Sequence, residues 1–107
     1  MREKRRYVRS NGLVLVDYKG TKIEGKSSAF DVSGAGVRLT INRKLDIGAQ
    51  VELEIYLPAD SQPIRAKGKV VWLQKLKNEY FYTGIEFSVI DDISIAKISD
   101  YVCKRFR

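Results

Sequence analysis

The binding chemistry available to this sequence lies first in two arginines near its N-terminus. Arg5 and Arg9 stand four positions apart, in an R-x-x-x-R arrangement. Two guanidinium groups on a short extended segment can clamp a phosphate from two sides, or bind the O6/N7 edge of guanine. A solvated basic tail has the same pattern, so this motif alone does not distinguish ligand binding from solubility.

A second group of polar residues follows about two predicted strands later, as D-x-S-x-x-G. It consists of Asp31, Ser33 and Gly36. A carboxylate can accept both donors on the Watson–Crick edge of guanine, and a hydroxyl can add a donor or an acceptor. Glycine permits close backbone approach or a positive φ. An Asx-type turn closed by glycine has the same sequence without any ligand, so both interpretations stay open for this motif alone.

The residue inventory argues against catalysis. The chain has no histidine, which removes the commonest general base and metal ligand. Its single cysteine, Cys103, permits neither an intrachain disulfide nor a cysteine metal cluster, and we expect it to be buried as a small hydrophobic residue. Glu52 and Glu54 alternate with apolar residues, as on the wet face of a strand. We therefore expect no enzyme activity, no metal and no cofactor.

Positive charge is concentrated at the two ends of the chain. The net charge is +7, and residues 1–9 hold five basic side chains against Glu3, so the remaining 98 residues carry only +3. This distribution suits a compact anion better than a long nucleic acid, whose binders spread their charge over a face. No apolar run approaches the roughly 20 residues that span a bilayer, and no export signal is evident. We expect a cytoplasmic protein that does not enter a membrane.

The elements that must position these residues are mostly strands. Val37–Ile41 and Val51–Leu57 alternate strictly between apolar and polar residues, as expected for strands with one buried face. Ile64–Trp72 alternates as well and places Trp72 on the inward side. Turn signals recur every 8–12 residues, which favours a closed or nearly closed barrel. The predicted strands are Leu13–Tyr18, Thr21–Asp31, Val37–Ile41, Val51–Leu57, Ile64–Trp72 and Tyr80–Val89.

The C-terminal segment changes to a helical period. Asp91 and Asp92 are suited to an N-cap and first turn, and apolar residues then recur at helical spacing. The sequence predicts a helix over about 92–106 that packs on the barrel. Its apolar stripe consists of Ile95, Ile98, Val102 and Phe106.

Together, the two motifs resemble the signature of the PilZ domain family. Two later segments are also similar to that family: Gly68–Trp72 fits its G-x-V-V-W pattern, and Gly84–Phe87 fits its G-I-x-F pattern. The resemblance extends from about Glu3 to Phe106. It implies a mainly β fold: a six-stranded antiparallel Greek-key β-barrel with a C-terminal α-helix.

The resemblance also implies a function, that of a stand-alone bacterial receptor for the second messenger cyclic di-GMP. Residues 1–10 would form a flexible arm that folds over the ligand, and residues 11–107 the barrel and helix. Arg5 and Arg9 would grip guanine edges and phosphates. Asp31 and Ser33 would read a guanine, and Gly36 would let the backbone come close. The surface altered by ligand binding would be read by a downstream protein partner.

Three further residues are secondary candidates for the ligand site. Arg6 could contact a phosphate. Lys4 immediately precedes the motif, at a position that in the PilZ family affects whether one ligand or a stacked pair is bound, and the resemblance implies a stacked pair here. Trp72 could stack on a base, although its inward register favours core packing. Two other functions remain as alternatives: a PilZ-like protein-interaction module without a ligand, and a single-stranded nucleic-acid-binding barrel that stacks bases on Tyr80 and Tyr82.

Overall fold

Six strands and one α-helix make up residues 14–58 and 62–105, which are the residues that the computed structural model describes. The predicted arm and Phe106 lie outside these residues. A short 3-10 segment, Lys77–Glu79, joins the last two strands. The elements are β1 (Val14–Lys19), β2 (Glu24–Val32), β3 (Gly36–Ile41), β4 (Gln50–Tyr56), β5 (Ile64–Lys75), β6 (Phe81–Val89) and α1 (Asp92–Arg105).

The strands close into a barrel in the order β1-β2-β3-β6-β5-β4, and every neighbouring pair is antiparallel. The β1-β2-β3 meander is followed by β4, which returns to pair with β1. This 4-1-2-3 arrangement is a Greek key. The predicted six-stranded antiparallel barrel with a C-terminal helix is therefore confirmed.

The two ends of the barrel carry different segments. At one end, here called the upper end, β1, β3 and β5 begin while β2, β4 and β6 finish. The turn of residues 33–35 between β2 and β3 lies there, and α1 follows β6 from the same end. Val14, the first residue of β1, lies at the upper end as well.

Alternation along the strands builds the core, since every second side chain faces the same side of the sheet. Leu39 and Ile41 of β3 and Ile55 of β4 have no exposed surface, while the residues between them are partly or fully exposed. Ile98 of α1 is also fully buried and belongs to the same cluster. The helix thus closes the upper end of the barrel with its apolar stripe.

The start of α1 is fixed by the predicted cap. The Asp91 carboxylate accepts a hydrogen bond from the Ser94 backbone N–H at 2.7 Å, which satisfies one of the unpaired donors at the helix start. This hydrogen bond lowers the pKa of Asp91 below its ordinary value.

Two β-bulges change which side chains of β5 and β6 point out of the barrel. Val70 pairs with Ile85 and Trp72 with Gly84, so Val71 is an extra residue and the alternation reverses there. Trp72 therefore faces outward with 36% of its surface exposed, and its predicted core packing is wrong. A second bulge, next to Gly68, turns Val89 outward in the same way.

Two smaller predictions also differ from the structure. Cys103 is exposed rather than buried, because it follows Val102 by one position and so falls off the apolar stripe of α1. Strand β2 begins at Glu24 rather than at Thr21, because a turn occupies the preceding residues. That turn is closed by a hydrogen bond from the Gly20 N–H to the Ile23 carbonyl at 2.7 Å.

Candidate functional site

The D-x-S-x-x-G segment runs from the end of β2 into β3 and includes a tight turn. The Ser33 N–H donates to the Gly36 carbonyl at 2.9 Å, and the Ala35 N–H donates to Ser33 Oγ at 3.1 Å. The Ala35 carbonyl in turn accepts the Phe87 N–H at 2.8 Å, which ties the turn to β6. The Ser33 hydroxyl keeps its own proton and a second lone pair for another partner.

Asp31 lies at the edge of this turn, on β2, and its side chain is 58% exposed. It pairs in register with Arg38 of β3, and Asp31 Oδ2 lies 3.6 Å from Arg38 Nη2. That separation is an ion-pair distance and is longer than a hydrogen bond. The carboxylate is thus presented at the surface with a loosely held cation beside it.

Gly36 has a structural reason to be glycine that does not require a ligand. A Cβ at this position would collide with the carbonyl oxygen of Ile85, because β3 and β6 approach closely there. Its backbone is not in the left-handed region. We expected glycine at position 36 to permit either a close backbone approach or a positive φ. The structure shows the close approach, and the backbone that lies against Gly36 is that of β6.

Trp72 of β5 lies across Gly84 of β6 on the outer side of the barrel. A Cβ at Gly84 would collide with the indole ring, so the missing side chain makes room for the ring. Tyr82 packs edge-on against the indole, with ring centres 5.3 Å apart and planes at 77°. The Arg38 guanidinium carbon lies over the ring, 5.9 Å from its centre. These contacts fix an exposed aromatic side chain on a rigid sheet.

Cross-strand register explains why these groups meet. Arg38 of β3 pairs with Gly84 of β6, and Gly84 pairs with Trp72 of β5. The three residues form one row across the outer face of the barrel, and Asp31 extends that row onto β2. We call the surface formed by Asp31, Arg38, Trp72 and Gly84 the site face.

A shallow depression of about 250 Å³ lies on the site face. The sequence-predicted residues Asp31, Ser33, Gly36 and Trp72 all line it. Arg5 and Arg9, and the secondary candidates Lys4 and Arg6, lie outside the described residues. Arg38, Gly84 and Glu86 also line the depression and were not predicted as site residues.

The turn also contacts the C-terminal helix. A Cβ at Gly34 would lie 3.3 Å from Ile95 Cγ2 and 3.6 Å from Ser99 Oγ, so α1 packs directly against the turn. Ile95 is followed on the same stripe by the fully buried Ile98. The turn and the buried stripe of α1 are therefore in direct contact.

A larger cavity, of about 830 Å³, lies on a different part of the barrel. It covers the outer side of β2, β1, β4 and β5, where charged side chains meet in register. Lys26 Nζ lies 3.1 Å from Asp17 Oδ1, and Arg65 Nε lies 3.1 Å from Glu54 Oε2. We call the surface formed by Lys26, Asp17, Glu54 and Arg65 the ladder face.

Tyr56 links the two carboxylates of the ladder face. Its hydroxyl lies 3.2 Å from Asp17 Oδ2 and 3.2 Å from Glu54 Oε1. Desolvation raises the pKa of Tyr56, and both carboxylates add to the increase. Each charge of the ladder face therefore has a partner within the face.

Neither surface presents a metal site in the described part of the chain. No group of three or more metal-ligating side chains occurs among residues 14–58 and 62–105. The single α-helix within these ranges is too short and too polar to cross a membrane.

Comparison with known proteins places this fold and these motifs in a family. A family model described as the PilZ domain matches residues 2–104. Among solved structures, the chain is similar to the Bacillus subtilis inhibitor of motility, MotI/DgrA, at 20% sequence identity and a TM-score of 0.77. The similarity covers 97% of this chain and 52% of that one, so this chain spans about half the length of MotI/DgrA. No curated protein matches the sequence significantly.

Proposed function

Because this chain belongs to the PilZ domain family, we propose that it is a non-catalytic receptor for cyclic di-GMP. One observation carries the proposal. The D-x-S-x-x-G turn and the exposed Trp72 line one depression, and β1, the strand that follows the R-x-x-x-R segment in the sequence, begins at the end of the barrel where the turn lies. The proposed ligand residues are Arg5, Arg9, Asp31, Ser33 and Gly36, with Lys4, Arg6 and Trp72 as secondary contacts.

The barrel half of the site suits the recognition of a guanine base. The exposed Asp31 carboxylate can accept the N1–H and the exocyclic amine of guanine, and Ser33 has a free donor beside it. The Trp72 ring offers a surface on which a base can stack, worth about 1–3 kcal/mol per base. Gly36 keeps the surface at the turn free of a side chain. In our proposal these groups are in place before the ligand arrives.

The arginines of the N-terminal segment are within reach of this surface. Arg9 precedes Val14 by five residues and Arg5 by nine, which allows at most about 17 Å and about 30 Å of extended chain. β1 and β3 are separated by β2 alone, so their spacing is about 10 Å. We propose that both guanidinium groups close over the ligand, binding guanine edges and phosphates.

Charge supplies the switch in this proposal. Lys4, Arg5, Arg6 and Arg9 repel one another, and this repulsion opposes a compact arm. The two phosphates of cyclic di-GMP relieve it, so ligand binding orders the arm against the barrel. The surface presented to other molecules then differs between the free and bound states.

A downstream protein partner is the proposed reader of that difference. The contact between Gly34 and α1 provides a second route by which the ligand site could alter the surface. MotI/DgrA, which shares the fold, is an inhibitor of motility, and this supports a regulatory partner for the present chain. Because cyclic di-GMP is a bacterial second messenger, we place the protein in the bacterial cytoplasm.

Calorimetric titration with cyclic di-GMP tests the proposal, using the wild type, Arg9→Ala, Asp31→Ala and Asp17→Ala. The first two variants each remove one proposed contact, and we expect each to weaken binding by about 1–3 kcal/mol, or roughly 5- to 150-fold. Asp17→Ala removes a carboxylate from the ladder face and should bind as the wild type does. No binding by the wild type, or equal losses in Asp31→Ala and Asp17→Ala, would overturn the site assignment.

The two alternative functions give different results in the same experiment. A protein-interaction module without a ligand gives no heat with cyclic di-GMP. A nucleic-acid-binding barrel gives tighter binding to a long single strand and a steep salt dependence, whereas a ligand with two phosphates gives a log–log slope of at most about 2. The structure does not bring together the two tyrosines on which the nucleic-acid-binding alternative depends. Tyr80 lies at the end of the barrel opposite the upper end, and Tyr82 packs edge-on against Trp72.

A further inference from the structure

Arg38 lies where the guanine base of the proposed ligand would bind. Its Nη2 is 3.6 Å from Asp31 Oδ2, and its guanidinium carbon is 5.9 Å from the centre of the Trp72 ring. Asp31 is the residue proposed to read the base, and Trp72 is the residue proposed to stack on it. A single side chain of the protein therefore contacts both parts of the base site.

A guanidinium group and the edge of guanine present the same chemistry to these two residues. The N1–C2–N2 portion of guanine is a planar guanidine unit with N–H donors that point in one direction, and arginine carries such donors on a planar fork. A carboxylate accepts hydrogen bonds from either group. An aromatic face stacks on either one as well.

The backbone holds Arg38 in this position through strand register. Arg38 pairs with Asp31 on one side and with Gly84 on the other, and Gly84 pairs with Trp72. Because Gly84 has no side chain, nothing stands between the guanidinium and the indole. The flexible side chain of Arg38 can leave this place while its backbone stays in β3.

We propose that Arg38 is an internal occupant of the guanine site, which the ligand must displace, and that it thereby sets the affinity for cyclic di-GMP. The inference rests on the proposed function. The contacts that hold Arg38 are weak: the ion pair is longer than a hydrogen bond, and its side chains are 51% and 58% exposed. The residue thus limits affinity without blocking the site.

The test combines two measurements on the wild type, Arg38→Gln and Arg65→Gln. Arg65→Gln removes the same charge from the ladder face and controls for the loss of long-range attraction to an anionic ligand. Trp72 is the single tryptophan of the chain, so its fluorescence reports on the site face without any ligand. We expect acrylamide to quench Trp72 more strongly in Arg38→Gln than in the other two proteins. Equal quenching would overturn the placement of Arg38 over the ring.

Calorimetry with cyclic di-GMP at one fixed salt concentration then tests the displacement. An exposed ion pair and an exposed cation–π contact together correspond to a change of about three- to tenfold in affinity. We therefore expect Arg38→Gln to bind cyclic di-GMP more tightly than Arg65→Gln by this factor. If the wild type binds and Arg38→Gln binds equally or more weakly than Arg65→Gln, the inference fails while the proposed function stands. If none of the three proteins binds, the proposed function fails and the inference fails with it.

Discussion

The outer surface of the barrel has two faces that hold charge in different ways. On the ladder face, Lys26 and Arg65 each approach a carboxylate to 3.1 Å, and Tyr56 bridges the two carboxylates. On the site face, the corresponding pair of Asp31 and Arg38 is 3.6 Å apart. A glycine and an exposed indole complete that row on β6 and β5, whereas all four positions of the ladder row carry charged side chains.

The difference shows why cavity volume is a poor guide to function in this molecule. The ladder face has the larger cavity, about 830 Å³ against about 250 Å³. Its charges form two ion pairs at 3.1 Å, so a ligand there would have to break two closer pairs than the single 3.6 Å pair of the site face. The site face offers an exposed carboxylate, a hydroxyl with a free donor and an aromatic ring. The chemistry of the smaller depression is therefore the better match to a nucleotide.

The largest expected effect compares one glycine from the lining of each cavity, Gly36 and Gly25. In Gly36→Ala the new Cβ meets the backbone carbonyl of Ile85, whereas in Gly25→Ala it meets the ring and hydroxyl of Tyr18. Backbone yields less readily than a side chain, so we expect Gly36→Ala to lower the free energy of unfolding by about 2–3 kcal/mol. Gly25→Ala should cost less. Urea unfolding of both variants measures the difference, and the reverse order would show that β3 and β6 are not held together at Gly36.

The next effect concerns the aromatic residue of each face. Trp72→Ala removes the proposed stacking surface and should weaken cyclic di-GMP binding by about 1–3 kcal/mol. Tyr56→Ala removes an exposed aromatic ring from the ladder side and should leave affinity unchanged. Calorimetry on both variants provides the comparison. A larger loss in Tyr56→Ala would transfer the ligand to the ladder face.

Much of the fold follows from the sequence because its periodic signals are strong. Strict alternation in β3 and β4 predicts their buried faces, and the Asp91 cap predicts where α1 begins. A β-bulge leaves no comparable signal. In the sequence, Val71 and Trp72 continue the inward–outward alternation of β5. Only the pairing of β5 with β6 shows that the orientation of the side chains reverses at that point.

The candidate site was predictable only in part, for a related reason. The motifs identify Asp31, Ser33 and Gly36 through residue type and spacing. Arg38 carries a usable signal, since alternation places it outward two residues after Gly36. Its contact with Asp31 depends on strand register, which one sequence does not specify. The role of Gly84 beneath Trp72 depends in addition on the bulge at Val71.

A smaller effect compares the charge pairs of the two faces in stability. Glu54→Gln breaks the 3.1 Å pair with Arg65, and we expect it to lower the free energy of unfolding by about 0.5–1 kcal/mol at low salt. Asp31→Asn breaks the looser pair and should cost less. Thermal unfolding at low and high salt tests both variants. A loss for Glu54→Gln that persists in high salt would point to an origin other than the ion pair.

The smallest effect concerns α1, which contacts both faces. Asp91 lines the cavity of the ladder face, and Ile95 touches the turn of the site face. Because the pKa of Asp91 is lower in the folded state, its contribution to stability is complete above the ordinary aspartate pKa of about 4 and is lost as the pH falls through the folded value. Asp91→Asn keeps a capping side chain without titrating. Its melting temperature should fall less steeply than that of the wild type below about pH 4, and identical slopes would exclude Asp91 as a source of acid sensitivity.

The most direct test of the assignment to the site face is a two-dimensional ¹H–¹⁵N NMR titration with cyclic di-GMP. Ligand binding at the site face predicts the largest shifts at the amides of Asp31–Arg38 and Gly84 and at the indole N–H of Trp72. The amides of Asp17, Lys26 and Glu54 should remain close to their free positions. Shifts concentrated on those ladder residues, with Trp72 and Gly84 unchanged, would contradict the account.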